Sequence, residues 1–550
     1  MVGLLVLVSA IVPTGRMRLR PSLLAWLGLG HSAHVAAGVL LIGGGVLLLG
    51  LANALARGKR RAWQLATMAT GFIAALNLLA GHRIIVGLAA AALCVVLAVT
   101  RREFRALPDP ALGRWRAPLL FAELLAAGVV INFLILLAGS HELAGAPSLP
   151  DKLAQATYSL VGFPGPIQFS SHRLADLTTG VGLLFGISAL LVGAYALLRS
   201  GEPAPSLPAD EEHALRGLLR EHGAQDSLGY FTLRRDKSAV FSPTGKSAVT
   251  YRVLAGVALA SGDPLGDPEA WPGAITAFLE ICRRYGWVPA VLGCSEAGVT
   301  AWNRHGLDAL ELGDEAIVDT TTFTLEGRPM RGVRQMAARA RRAGYAVRVR
   351  RVGELDEAEQ AQLRELARRW RGTNTERGFS MALGRTADVA DPECVLVTAE
   401  RDDTVHAMLQ LVPWGTDGLS LDLMRRDRSA TDTGLNELMI AELLQAAPGL
   451  EIRQVSLNFA VQRAALERGQ RIGAGPVARL WARVLRISSR WWQIDTLYRF
   501  NAKFRPSWVP RYLAFPALLD LPRVAFAALE AEGLGGRPPA LLRLLGRTTG

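Results

Sequence analysis

The chain has 550 residues, half of them hydrophobic and a fifth charged, with 61 Lys+Arg, 48 Asp+Glu and four Cys. The length implies several domains, the apolar content excludes general disorder, and four cysteines exclude a disulfide scaffold. The net charge of +13 calls for an anionic partner, either nucleic acid, anionic lipid or both.

Charge is unevenly distributed. Residues 1–200 hold 16 Lys/Arg and 6 Asp/Glu, whereas residues 201–550 hold 45 and 42. The first part reads as membrane, the second as a globular domain with normal charge density. Ser200-Gly201-Glu202-Pro203-Ala204-Pro205 marks the linker between them. Five apolar segments approach or exceed the roughly 20 residues that span a bilayer: Ala33–Leu55, Ala62–Ala80, Ile84–Thr100, Ala117–Gly139 and Thr178–Leu198. Val2–Val12 is too short to span alone and, with no basic segment before it, does not read as a signal peptide; it fits the clipped end of a longer helix if the start lies upstream. The basic loops Arg57–Arg61 and Arg101–Arg116 place their side in the cytoplasm, with Ser140–Leu177 outside and the domain after Gly201 cytoplasmic. Arg16, Arg18 and Arg20 fall on the wrong side of this count. Free Cys282, Cys294 and Cys394 suit a reducing compartment.

The second part alternates helical and strand-like runs. Asp210–Gly223 predicts a helix, followed by strands at Ala239–Ser242 and Ala248–Ala260. A helix at Trp271–Tyr285 precedes strands at Val288–Gly293 and Ile317–Leu325. The pattern then repeats: helix Pro329–Ala343, strand Tyr345–Val352, helix Asp356–Arg371, strands at Cys394–Glu400, Val405–Val412 and Leu419–Met424, helix Leu435–Gln445 and strand Arg453–Leu457. The expected fold is therefore an α-helical transmembrane bundle over residues 1–200, a linker and capping helix over 201–225, and an α/β (α+β) domain over 226–515. That domain reads as two tandem acyltransferase-like (GNAT-like) units, with halves at 226–344 and 345–475, a basic C-terminal part, and a tail over 516–550.

The basic residues cluster. Arg328–Arg377 holds 14 Arg against 6 carboxylates, and Arg468–Gly550 holds 14 Lys/Arg against 4. In Pro476–Trp492, Arg479, Arg483, Arg486 and Arg490 form one helical stripe beside Leu480, Val484, Ile487 and Trp491. That pattern fits a membrane-surface helix or an ordinary packed helix with a solvated Arg face. Arg331, Arg334, Arg341 and Arg342 suit phosphate contacts or, again, a solvated face. The GxxxxGK[ST], HExxH, CxxC and GxSxG motifs are all absent, so no metal or cofactor is expected. The loop Arg428–Gly434 enters a helix and could cradle a phosphate on backbone N–H groups. His406, in a strand pattern, reads as a structural residue rather than a base.

Several segments together resemble one family. They are Gly262-Asp263-Pro264; Trp370 with Glu376-Arg377-Gly378-Phe379-Ser380; Asp422-Leu423-Met424-Arg425; Ser456-Leu457-Asn458-Phe459-Ala460; and the long run Leu497–Tyr512, LYRFNAKFRPSWVPRY. In this order they resemble the bacterial phosphatidylglycerol aminoacyltransferases, the multiple peptide resistance factor family. The likeness is nearest to the actinobacterial form, in which a lysyl-tRNA synthetase is fused after this domain. This chain ends at Gly550, so the resemblance implies charged tRNA from a separate synthetase, as in unfused members.

The resemblance implies transfer of an aminoacyl group, lysyl by analogy, from aminoacyl-tRNA to a headgroup hydroxyl of phosphatidylglycerol at the cell membrane. The residues alone fit diacylglycerol as acceptor equally well. Such a transfer exchanges one ester for another and needs no ATP motif. It needs a group to orient the hydroxyl, a cation for phosphate and donors for the developing oxyanion. Carried over by motif, Asp422, Arg425, Glu376 and Lys503 are the catalytic candidates. Asp422 and Glu376 would hold the ammonium or orient the nucleophile, while Arg425 and Lys503 would hold phosphate or stabilise negative charge. Asp263, Arg331, Arg334, Phe379, Ser380, Asn458, Arg505 and Arg511 are the candidate substrate contacts. The structural alternatives are a local Asp422–Arg425 salt bridge and a turn role for Asn458. Asp422 and Lys503 are expected to meet at one cleft. Two other functions suit the pattern: an acyl-CoA-dependent N-acyltransferase, which would bind CoA and ignore tRNA, and a non-catalytic lipid flippase.

Overall fold

The computed structural model describes residues 46–52, 54–79, 84–104, 116–163, 165–198, 203, 206–372, 378–429, 432–461 and 494–533. The proposed surface helix Pro476–Trp492, most of Ala33–Leu55, and Glu376 lie outside them. The chain divides into two compact units, chiefly Met1–Glu202 and Pro203–Leu544.

The first unit contains helices α1 (Arg60–Leu79), α2 (Ile84–Val99), α3 (Arg116–Ala138), α4 (Leu149–Ser159) and α5 (His172–Leu198). Among the described residues two helical stretches, Pro118–Ala138 and His172–Ala196, are long and apolar enough to cross a membrane. That is fewer than the five expected. The 16 residues of α2 reach about 24 Å at 1.5 Å per residue, short of a hydrocarbon core of ~30 Å. The stretch expected to be an external loop contains α4. Pro150 lies in its first turn, and Ser148 and Asp151 cap it reciprocally. The chain end of α4 lies against α5 where glycine permits it: a Cβ on Gly186 would sit 2.0 Å from the Leu160 carbonyl oxygen.

The second unit is built on one 12-stranded mixed sheet. Its strands are β1 (Ser238–Phe241), β2 (Ser247–Leu254), β3 (Val257–Ser261), β4 (Leu265–Gly266), β5 (Val288–Cys294), β6 (Asp308–Asp319), β7 (Ala346–Arg351), β8 (Val395–Arg401), β9 (Thr404–Trp414), β10 (Gly418–Arg426), β11 (Gln454–Val461) and β12 (Ser507–Phe515). Its helices are α6 (Ala209–His222), α7 (Trp271–Tyr285), α8 (Glu296–Asn303), α9 (Arg331–Arg342), α10 (Glu357–Arg371), α11 (Leu435–Ala446), α12 (Ile494–Ala502) and α13 (Leu521–Ala531). The spatial order is β1-β2-β3-β5-β12-β6-β11-β10-β9-β8-β7, with β4 on β2.

The order has an internal repeat. On each side an antiparallel run ends in a parallel pair, β3/β5 or β10/β11, connected by a helix, α7 or α11. The last strand of each half then crosses over. β6 pairs with β11 of the second half, and β12 pairs with β5 of the first. β6 and β12 lie side by side at the centre, so the two halves form one sheet.

Two sequence expectations change. The single strand expected at Ala248–Ala260 is a hairpin, because Ala255 and Gly256 turn the chain with φ of 49° and 69°. The strand expected at Ile317–Leu325 begins at Asp308 and ends at Asp319, where the Asp319 side chain accepts from Thr321 N–H.

The sheet is covered on both faces. One face buries Leu215 of α6, Leu363 and Trp370 of α10, and Val524 of α13 against Leu396, Met408 and Val412. The other buries Val333 and Ala337 of α9, Leu438 and Met439 of α11, and Phe504 after α12 against Val397, Leu409, Leu421 and Val455. The alternation of β8, β9 and β10 assigns each sheet residue to one face, and this decides which candidate residues can meet.

Candidate functional site

The parallel pair β10/β11 comes apart in the middle of the sheet. Its register runs Gly418↔Gln454, Leu419↔Val455 and Ser420↔Ser456, then stops. Both strands are irregular there, β10 between Leu421 and Leu423 and β11 between Ser456 and Phe459. Asn458 takes a left-handed φ of 67°. Strand bulges of this kind re-aim side chains.

Asp422 sits in the β10 bulge. It accepts from Leu383 N–H at 2.7 Å and from Gln410 Nε2 at 2.6 Å. The Gln410 amide is locked, because it also donates to the Arg385 carbonyl and accepts from Ala387 N–H, both at 2.8 Å. Both Asp422 oxygens therefore face donors, as suits an ionised carboxylate. The extra residue in the bulge also puts Asp422 and Arg425 on the same face, which a spacing of three in a regular strand would not. Arg425 donates to the Ala367 carbonyl of α10 at 2.5 Å.

Asn458 lies across the gap. Its Nδ2 donates to the Leu421 carbonyl, and its own N–H donates to Ser456 Oγ at 3.2 Å. Its Oδ1 is buried without a hydrogen-bond partner among the described residues. An unmet buried acceptor costs about 1–3 kcal/mol unless a ligand donor reaches it.

Behind this gap lies a buried ionic network. Arg511 of β12 donates to Glu315 Oε2 at 2.9 and 2.5 Å, to Asp226 at 2.7 Å and to Ser227 Oγ at 2.6 Å. Glu315 of β6 is 0% exposed and also accepts from Ser227 and Ser456, each at 2.5 Å. Burial opposes the Arg511 charge, but Asp226 and Glu315 outweigh it and raise its pKa. Arg511, a candidate substrate contact from the sequence, is thus occupied in tying the exchanged central strands together.

Asp263 lies at the matching place in the first half, just past the last β3/β5 pair, Ser261↔Leu292. It accepts from Ser295 N–H at 2.8 Å and Ser295 Oγ at 2.5 Å at the start of α8. Burial, then the neighbouring Asp226 carboxylate, pushes its pKa up to about 7. The first-half gap is filled by this contact. A Cβ on Gly298 would lie 1.9 Å from Asp263 Oδ1.

The other candidates are dispersed. Phe379 is fully buried, and Phe379 N–H, Ser380 N–H and Ser380 Oγ all donate to the Glu532 carboxylate after α13. The Lys237 ammonium lies 4.6 Å from the Phe379 ring centroid and donates to the Phe231 carbonyl and Ser261 Oγ at 3.0 and 2.6 Å. Burial, then Arg234, lowers its pKa to about 7. Arg334 is used within the protein, donating to the Leu325 and Gly327 carbonyls. Arg331 and Arg505 are exposed. His406 meets the Tyr345 ring edge-on at 5.7 Å, yet its Nδ1 is buried with no hydrogen-bond partner among the described residues, so the structural reading holds only for its packing.

Lys503 does not join Asp422. It pairs with Glu437 of α11 at 2.7 Å, on the face covered by α9, α11 and Phe504. Asp422 bonds Leu383 and Gln410 on the opposite face, whose core includes Leu383 and Met408. The single cleft expected for the two residues is not formed, because the sheet separates them.

Glu315, Asp226, Gln410, Lys237 and Glu532 were not legible as site residues. Each is buried or engaged mainly by partners that the fold brings together from distant parts of the chain. A sequence pattern carries no such signal.

The fold is shared with solved structures. The chain superposes on L-PGS from Bacillus licheniformis with a TM-score of 0.52 at 21% identity, covering 61% of this chain and 99% of that one. The C-terminal domain assigned to a lysylphosphatidylglycerol synthetase of Agrobacterium fabrum gives 0.50 at 22% identity, covering 60% and 98%. Residues 216–515 match the family model described as phosphatidylglycerol lysyltransferase, C-terminal. The chain belongs to that family. It is 46% identical over 499 residues to the lysylphosphatidylglycerol biosynthesis bifunctional protein LysX of Mycobacterium marinum, covering 88% of this chain and 44% of the relative. It is 49% identical over 415 residues to the LysX of Mycobacterium avium, covering 75% and 35%. The chain thus spans less than half the length of these relatives.

Proposed function

We propose that the chain transfers an aminoacyl group, lysyl by analogy with its relatives, from aminoacyl-tRNA to a headgroup hydroxyl of phosphatidylglycerol. The observation that carries this reading is the family match over residues 216–515, which spans the gap between β10 and β11. The acceptor hydroxyl would attack the ester carbonyl carbon of the donor, and the tRNA ribose oxygen would leave as its hydroxyl, taking up the proton that the acceptor gives up. Asp422, held in its acceptor state, would orient the hydroxyl or the donor's ammonium. Where Asp422 holds the ammonium, Asn458 Oδ1 would accept from the hydroxyl, which fits its unmet bond. Arg425, anchored to α10, would offer positive charge on the same face. Glu376 keeps the role the family resemblance implies.

Lys503 is assigned to phosphate on the opposite face, where Glu437 holds it. In this reading the second unit acts as two tandem acyltransferase-like halves with only the second-half gap open. The first unit anchors the enzyme in the cell membrane as a multi-pass bundle, with the domain in the cytoplasm as the basic loops imply.

Mass spectrometry of lipid extracts from cells with and without the gene tests the reading. A phosphatidylglycerol species heavier by one aminoacyl residue should appear only with the gene. Unchanged phosphatidylglycerol with a new acylated amine elsewhere would favour a CoA-dependent N-acyltransferase. A change only in leaflet distribution would favour a flippase.

A further inference from the structure

The sequence places arginines at nearly every turn of α9, and the structure divides them into two sets. Arg334 is spent on the Leu325 and Gly327 carbonyls, and Arg341 on Glu442 of α11. Arg328, Arg331, Arg339 and Arg342 are exposed. With exposed Gln335 they advance by steps of 3, 4, 4 and 3, which keeps them on one side of the helix and its leading turn. At 1.5 Å per residue the stripe is about 20 Å long.

Its surroundings leave it strongly positive. α9 contains no Asp or Glu, and the nearest acid in sequence is Glu326. The arginines of the neighbouring edge strand β7 are different, because each has a carboxylate: Arg348 with Glu400, Arg350 with Glu359 and Arg351 with Glu393. The charge of β7 is compensated, whereas among the described residues no carboxylate pairs with Arg328, Arg331, Arg339 or Arg342.

Two polyanions could meet such a stripe, an RNA backbone or an anionic bilayer, and the structure favours RNA. Helices that lie in a bilayer surface bury an apolar face in it. The apolar face of α9, Val333, Ala337 and Ala340, is already buried against the sheet. Among the described residues between Pro203 and Asp388, no large apolar side chain is exposed. Double-helical RNA is recognised by shape and by phosphate contacts, which a rigid row of arginines supplies without any apolar contribution.

We propose that the Arg328–Arg342 stripe of α9 is the docking surface for the phosphate backbone of a double-helical arm of the donor tRNA. This rests on the reading that the donor is aminoacyl-tRNA. It places RNA on the sheet face that carries Lys503, opposite Asp422.

The test uses the full chain in neutral phosphatidylcholine nanodiscs and a fluorescent, deacylated tRNA transcript, with binding followed against KCl concentration. Arg339→Ala with Arg342→Ala should weaken binding about 10-fold or more near physiological salt and lower the slope of log K against log salt by roughly 1.4–1.8. The control pair Arg348→Ala and Arg350→Ala removes the same formal charge where it is already compensated, and should change affinity less than about 2-fold. Failure of the wild-type chain to bind, an unchanged slope in the α9 variant, or an equal loss in the control would overturn the proposal. An effect seen only in anionic nanodiscs would assign the stripe to the bilayer and overturn it too. If tRNA binds through the stripe but no aminoacyl lipid is made, the donor reading fails while the docking surface stands. Transfer that is normal while the stripe variants bind as wild type has the reverse meaning.

Discussion

Asp422→Asn is expected to lower aminoacyl transfer in phosphatidylglycerol proteoliposomes by about 10²-fold or more, the usual scale for losing a positioned acid–base or orienting group. It should also destabilise the domain, although the side chain keeps its shape. One Asp422 oxygen faces the Leu383 N–H and the other faces Gln410 Nε2. Gln410 cannot flip to present its oxygen, because both ends of its amide are already bonded. The new NH2 group must then point at a donor, and a buried donor left unmet costs about 1–3 kcal/mol. Thermal unfolding should show a lowered midpoint beside the lost activity. Retention of most of the wild-type rate would remove Asp422 from the site.

Arg511→Met should have the largest effect on stability. It fills the space but leaves Asp226 and Glu315 facing each other without their cation. Breaking a buried pair in this way costs about 3–5 kcal/mol, a midpoint shift on the order of 10 °C for a domain of this size. Arg511→Lys should not restore it, because a single ammonium cannot match the fork that reaches Glu315, Asp226 and Ser227 together. Adding Asp226→Asn and Glu315→Gln to Arg511→Met should recover much of the loss, since the uncompensated charges are gone. Differential scanning calorimetry of the three variants decides it. A shift below about 1 kcal/mol for Arg511→Met would mean that the network does not hold the exchanged strands.

Much of the local structure was legible in the sequence because its signals are local. The helix Trp271–Tyr285 stands where expected, ending at Gly286 with its φ of 65°. The helix Glu357–Arg371 has the Asp356/Glu359 capping box at one end and Gly372 in the left-handed conformation at the other. Strands β8 to β10 stand where expected, within two residues at each end. What depends on pairing was not legible. The β248–260 run hides a hairpin, and the motif Leu497–Tyr512 is half helix and half central strand. Nothing local shows that β6 and β12 change halves.

The candidate site follows the same division. Asp422 and Arg425 share a face only because a bulge corrects their odd spacing, and bulges are set by the partner strand. Lys503 lies in the longest run that carries the family resemblance, yet a sequence motif says nothing about which face of the sheet it occupies. Arg511 reads as a substrate contact in a basic run, but burial in β12 makes it structural. The sequence marked chemistry-bearing residue types; three-dimensional pairing decides which of them remain free for a ligand.

The central claim is that charged tRNA is the donor to phosphatidylglycerol. The most direct measurement supplies the full chain, reconstituted in phosphatidylglycerol vesicles, with tRNA carrying radiolabelled lysine, and follows label entering the organic phase. The account predicts label in a lipid that disappears when ribonuclease is added before the enzyme and is unaffected by removal of acyl-CoA. Label transfer that survives ribonuclease, or that requires acyl-CoA, would contradict it.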